Sequence, residues 1–403
     1  MERSGSAGVG KSVLRDGFAA GAQAGSRALA TARHPGLALV FGTAGYEPQA
    51  LLDGVRSVLG EVPLSGCSAE GVITRDGADE QSHAVVVVAL EVPGATFRTY
   101  QVQHASRDPR AAGRALIDRI GPHAAAGGLL MVFPDGVTTD GTALLDDLQR
   151  ELPPGVQVVG GLAGTELGSF SGWVTSQYHD GRAASDAVSA VLVTGGVEAE
   201  IAVSHGCKPL GVTFEVTRSD GAVVSELDGR PAFEALREYL DGDAVDLSAN
   251  DDLHLVVGIP IEAAHRGGYG DLLVRAPIRL LEGGALFFNG GGVEQGIEVE
   301  LARRDLEGMR ESAASAAAQL AARRPGERPL LVLQFDCTGR GRVACGERTT
   351  ELTVEPLRRV LGEDVPWAGF HTFGEIAPLG GAVRTHACTV AVCALYAPRP
   401  ARS

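Results

Sequence analysis

The sequence predicts an α/β protein, α+β in its middle section, built from repeated strand–helix–strand units with a ligand cleft at glycine-rich strand ends. Three observations carry that expectation. Short apolar runs end in glycine, as in GLALVFGTAG (36–45), GLLMVFPDG (128–136) and PLLVLQFDCTGRG (329–341). Each is followed by apolar residues at helical spacing, over 47–60, 140–152 and 351–362. Each then reaches a glycine segment and a second apolar run, and two glycine segments, VPLSGCSAEGVI (62–73) and VPWAGFHTFGEI (365–376), superpose without a gap. Val62 matches Val365, Gly66 matches Gly369, Gly71 matches Gly374 and Ile73 matches Ile376. The middle copy, VQVVGGLAGTEL (156–167), keeps Val156 and Gly160. Such self-similarity is the signature of one supersecondary unit used several times.

Taken in order, the chain opens on GSAGVGKS (5–12), which fits the phosphate-loop pattern G-x-x-x-x-G-K-[ST] at every defined position. That loop needs a buried strand before it and a helix after it. Only residues 1–4 precede Gly5, so 1–12 read as a flexible N-terminus outside the repeats. A small-residue helix is expected over 13–32. The three repeats close on HAVVVVALEV (83–92), AVSAVLVTG (187–195) and CTVAVCALY (388–396). A strand–helix–strand step in one sheet is a right-handed crossover, and ligands in such sheets gather at strand ends beside glycine turns. Residues 197–300 differ in texture. They show alternating strands around Asp220-Gly221, a hairpin signal, one helix at 229–242, and strands at 254–260, 272–281 and 284–289. The expected division is a first domain over 13–196 and a second over 197–398.

Composition narrows the function. The 403 residues are 44% hydrophobic and carry a formal charge of −15, so nucleic-acid and anionic membrane-surface partners are disfavoured. Six cysteines, without a CxxC pair, suit a reducing compartment. No secretory leader or membrane span is visible, and the expected location is cytoplasmic.

The stretches SGCSAEGVI, VFPDGVTTDG, VVGGLAG, HGCKPLG, GRPAFE, FNGGGVEQG, FDCTGRG and FGEIAPLGG occur in an order that resembles the FIST sensory domain in its FIST-N plus FIST-C form. The resemblance implies a signalling module that binds a small, amino-acid-like ligand and has no established catalytic activity. It also implies an alternative, a haem b-binding nitric-oxide sensor. Many such proteins carry an attached output module; here output is expected through a separate partner such as a histidine kinase. His371 stands where the family pattern suggests an aromatic residue.

The candidate ligand-binding residues are Gly66, Cys67, Ser68, Gly160, Gly161, Cys337, Arg340, His371 and Glu375. Arg340 offers a planar fork for a carboxylate, and Glu375 a complement for an amine. The competing reading makes these two a structural ion pair. The glycines permit close backbone approach with or without a ligand. A Cys337–His371 dyad, with Glu375, is the enzymatic alternative. His205 or His371 are the candidate haem ligands, with His254 and His386 inside strand patterns. No metal and no resident cofactor is otherwise expected.

Overall fold

The computed structural model describes residues 5–124, 128–167, 173–240, 255–266, 268–288 and 290–399. Three six-stranded sheets are each organised around one repeat. In the first, strand Leu37–Thr43 runs parallel to the glycine strand Leu64–Ala69, and closing strand Val85–Glu91 lies antiparallel to the first. Leu129–Pro134, Gln157–Gly161 and Ala187–Thr194 reproduce this arrangement, and so do Leu331–Cys337, Trp367–Thr372 and Thr389–Tyr396.

The unit is longer than the sequence suggested. An opening strand precedes each repeat and pairs antiparallel with the closing strand: Ser6–Ser12, Thr96–Gln103 and Glu198–His205. Within the stretch read as a flexible N-terminus, Ser6–Ser12 is therefore the first strand of the first unit, and the phosphate-loop pattern lies on a strand rather than a loop. Its glycines serve packing. A Cβ on Gly8 would lie 1.8 Å from the Ala28 carbonyl oxygen, and one on Gly10 2.0 Å from that of Ala24. Helix Gly17–Leu29 thus rests directly on the strand through Ala20, Ala24 and Ala28. Lys11 pairs with Asp79 at 3.0 Å. Lys11→Ala should cost under about 1 kcal/mol, as for a partly exposed ion pair, and ATP should not raise the melting temperature of either form. An ATP-dependent rise that the substitution abolishes would restore the phosphate loop.

The helix after each opening strand starts on an aspartate. Asp16, Asp108 and Asp305 accept from the backbone N–H of Ala19, Ala111 and Gly308, so each caps its helix three residues in. These helices pair with Pro48–Leu59, Gly141–Glu151 and Glu355–Leu361 and cover the outer sheet faces. The inner faces meet in one core. Phe41, Phe133 and Phe335, at matching positions in the three first strands, pack edge-to-face or tilted at 5.5–6.4 Å between ring centroids. Phe370 stacks on Phe41 at 4.6 Å.

A hairpin following each glycine strand leaves its own unit. The arm Val72–Thr74 and Gly77–Asp79 pairs with the third unit's glycine strand. Gln177–His179 pairs with the first unit's, and Glu375–Leu379 with the second unit's. The exchange is cyclic and crosses the 196/197 division in both directions, so neither part completes its sheets alone.

Between the third opening strand and its helix lies the insert, Cys207–Arg304. It forms an antiparallel sheet, with the predicted hairpin at Asp220-Gly221, and packs on helix Ala232–Arg237. Among the described residues, no helix is long and apolar enough to cross a membrane.

Candidate functional site

The three glycine strands are tight for backbone reasons. A Cβ on Gly66 would lie 1.9 Å from the Val40 carbonyl oxygen, on Gly160 2.0 Å from that of Val132, and on Gly369 1.8 Å from that of Gln334. In each case the clash is with the parallel neighbour strand at the same place in the unit. The recurrence that marked these glycines is therefore explained by strand packing. Gly161 is likewise pressed against Thr372, whose Cγ2 would be 2.5 Å from an added Cβ.

Cys67 sits in the central core, and burial pushes its thiol well up. Ser68 is a tie between units: its Oγ donates to Gly164 O at 2.8 Å and accepts from Ser176 N at 2.9 Å.

Arg340 is fully buried, and its charge is answered within the chain, with Nη1 alone left without a partner. Its Nε donates to Asp336 at 2.7 Å, and Nη2 reaches Met309 O at 3.4 Å. Asp336 also accepts from Gln334, which holds the Trp367 indole N–H at 3.0 Å. The carboxylate that Arg340 was expected to take from a ligand is supplied by its own chain, four residues back. Glu375 is not that partner. It accepts from the Thr372 hydroxyl and from Thr389 N (3.1 Å) and Oγ1. Burial, with the Cys337 thiol adding to it, holds its carboxyl well above the usual range. A buried carboxyl saturated by its own chain is a poor complement for an amine.

The Cys337–His371 dyad is ruled out by alternation. Asp336 is in register with His371 and Cys337 with Thr372, so the thiol and the imidazole leave opposite faces of the sheet. His371 is buried beside Glu80, 3.7 Å away. Next to it Glu70 is pushed well up by burial and by Glu80.

A haem would need an axial nitrogen open to an apolar cavity. His205 Nδ1 accepts from Cys207 N at 3.0 Å, and a Cβ on Gly270 would lie 2.5 Å from its Nε2, so that nitrogen abuts backbone. Burial lowers the His205 pKa to about 4. His386 has both nitrogens occupied, by Tyr269 Oη and Ala377 O. His254 lies outside the described residues. Neither His205 nor His371 lines the apolar pocket described next, so the residues present do not fit a haem there.

That pocket lies where two units and the insert meet, and holds a cavity of about 70 Å³. The second unit contributes Leu167 and Trp173, just beyond its glycine strand. The third contributes Cys337 to Gly339, Thr372, Phe373, Val343, Ala387 and Cys388; the insert adds Ala276, Ile278 and Arg304. Of the residues singled out in the sequence, Cys337 alone is among the described lining residues. The neighbouring Cys388 thiol and burial push the Cys337 thiol well up. Raised thiols are poor nucleophiles and poor metal ligands. Among the described residues no cluster of His, Cys, Asp and Glu is arranged to hold a metal ion.

Arg304 is the residue that sequence reasoning missed. It ends strand Glu298–Arg304, in register with Cys207, and is 5% exposed. Nη1 donates to Gly339 O, while Nε and Nη2 are buried without a partner. Alternation in VELARRD did not reveal it, because both faces of that strand are covered: Val299 and Leu301 face one core, Ala302 another.

Comparison with known proteins covers nearly the whole chain. The family model described as FIST N domain matches residues 36–230, and that described as FIST C domain matches 232–378. An uncharacterized protein of Mycobacterium tuberculosis is 31% identical over 393 residues, 96% of this chain and 98% of its own. One of Mycobacterium bovis is 29% identical over 363 residues, 89% of this chain and 90% of its own. Among solved structures, a chorismatase aligns with a TM-score of 0.35 at 10% identity, covering 90% of this chain and 92% of that one. A cyanuric acid hydrolase from A. caulinodans aligns with a TM-score of 0.27 at 12% identity, covering 48% and 72%.

Proposed function

The chain belongs to the FIST family, N domain followed by C domain, whose domains are associated with sensing and signal transduction, and from that premise we propose that it is a small-ligand sensor whose ligand occupies the pocket at the junction of the second unit, the third unit and the insert. The observation that carries the reading is the composition of that pocket: three separate parts of the fold supply its walls. A molecule seated there touches all three at once. A ligand shifts a conformational equilibrium only through contacts that differ between the states, and a junction between bodies is where such contacts arise.

The readout then passes to a separate protein, for which a histidine kinase is our candidate, and the six buried, unpaired thiols suit the reducing cytoplasm. The raised thiols of the pocket, with no base among the described lining residues to pair with them, favour binding over turnover.

Native mass spectrometry of freshly purified protein tests this reading. A small molecule should co-purify, and Ala276→Phe, which fills the half-buried insert wall, should release it while the chain stays folded. The same adduct retained at equal occupancy in the variant would place the ligand elsewhere and sink the proposal.

A further inference from the structure

We infer that the ligand of this pocket is a small apolar monocarboxylate whose two oxygens take Nε and Nη2 of Arg304; the inference rests on reading the pocket as the ligand site.

A guanidinium stays charged at any pH the fold survives. Burying one is costly unless an anion answers it, yet among the described residues no carboxylate forms an ion pair with Arg304. Its Nη1 is held by Gly339 O, which fixes the plane of the group. The two donors left over, Nε and Nη2, share one edge of the guanidinium and match the two oxygens of a carboxylate side-on. The molecule contrasts this arginine with Arg340, whose Nε is already taken by Asp336.

The remaining walls decide what the carboxylate is attached to. Leu167, Ile278, Phe373 and Ala387 present hydrocarbon, and no acidic residue is among the described lining residues. An ammonium would therefore be desolvated without a partner, which disfavours an amino acid. A phosphate dianion would bring one charge more than Arg304 neutralises. The cavity of about 70 Å³ is roughly half of the ~150 Å³ that takes up benzene, so the enclosed hydrocarbon body has about three or four carbons.

Isothermal titration with isovalerate, isovaleramide and isoamylamine tests the class, since the three share one hydrocarbon body. The unmodified chain should bind isovalerate about tenfold or more tightly than the amide, with no detectable amine binding. Arg304→Gln keeps a donor for Gly339 O and should erase the difference; Arg304→Lys should weaken isovalerate binding while retaining preference for the acid. Equal affinity for acid and amide, or no binding of any of the three, overturns the inference without touching the pocket reading. Undiminished isovalerate binding in Ala276→Phe would instead remove the pocket itself. Because the acid–amide comparison uses the unmodified chain, a misfolded Arg304 variant leaves the test intact.

Discussion

Arg340→Met is expected to lower stability by about 3–5 kcal/mol, because it strands the Asp336 carboxylate in a fully buried site. Both side chains are 0% exposed and 2.7 Å apart. The loss propagates: Asp336 also holds Gln334, and Gln334 holds Trp367, so one deletion loosens a buried chain of polar groups. Asp336→Leu should cost a similar amount for the mirror reason, leaving a buried guanidinium. The double variant should recover more than half of the summed loss, since replacing a buried pair with hydrocarbon is often close to neutral. Denaturant midpoints for the four proteins measure this directly. A single Arg340→Met cost below about 1 kcal/mol would mean that the guanidinium is not committed to Asp336, and would return it to the pool of ligand-binding candidates.

Gly369→Ala is expected to be worse, above about 4 kcal/mol and so near the limit of what such a fold tolerates. The new methyl would sit 1.8 Å from the Gln334 carbonyl oxygen, within a parallel pair whose ladder fixes both strands. Neither backbone can retreat without losing hydrogen bonds to its other neighbour. Gly66→Ala and Gly160→Ala should behave alike, with φ of +145° and +158° adding strain. Gly60→Ala is the control. Its φ of +66° and ψ of −150° fall in a region reserved essentially for glycine, but nothing lies within 4 Å, so only a backbone penalty of about 1–3 kcal/mol applies. Soluble yield and thermal midpoints separate the two classes; a Gly369→Ala protein as stable as Gly60→Ala would show that the strands are not packed so closely.

Arg340, Gly66 and Gly160 are residues that the sequence marked for ligand binding and the fold uses for itself. Glycines recurring after apolar strands are legible in one chain, but what they approach is not. A carbonyl of a neighbouring strand and a ligand make the same demand on the backbone. Arg340 likewise reads as an available fork until the strand end and turn bring it back onto Asp336, four residues earlier.

The order of strands and helices was settled locally. Apolar period, glycine punctuation and the repeated segments set the three strand–helix–strand steps, and Asp220-Gly221 set the hairpin, because these signals act over a few residues. Opening strands such as SAGVGKS and TFRTYQVQ escaped notice: the first has too little apolar content to declare itself, and the second is only half-buried at one edge. Only the tertiary structure decided which sheet each hairpin arm joins, which arginine is paired with an acid, and that Arg304 faces a pocket. The first and last of those outcomes depend on contacts between residues close to a hundred or more positions apart, such as Ile73 against Gly369 or Cys207 against Arg304. No local periodicity records them.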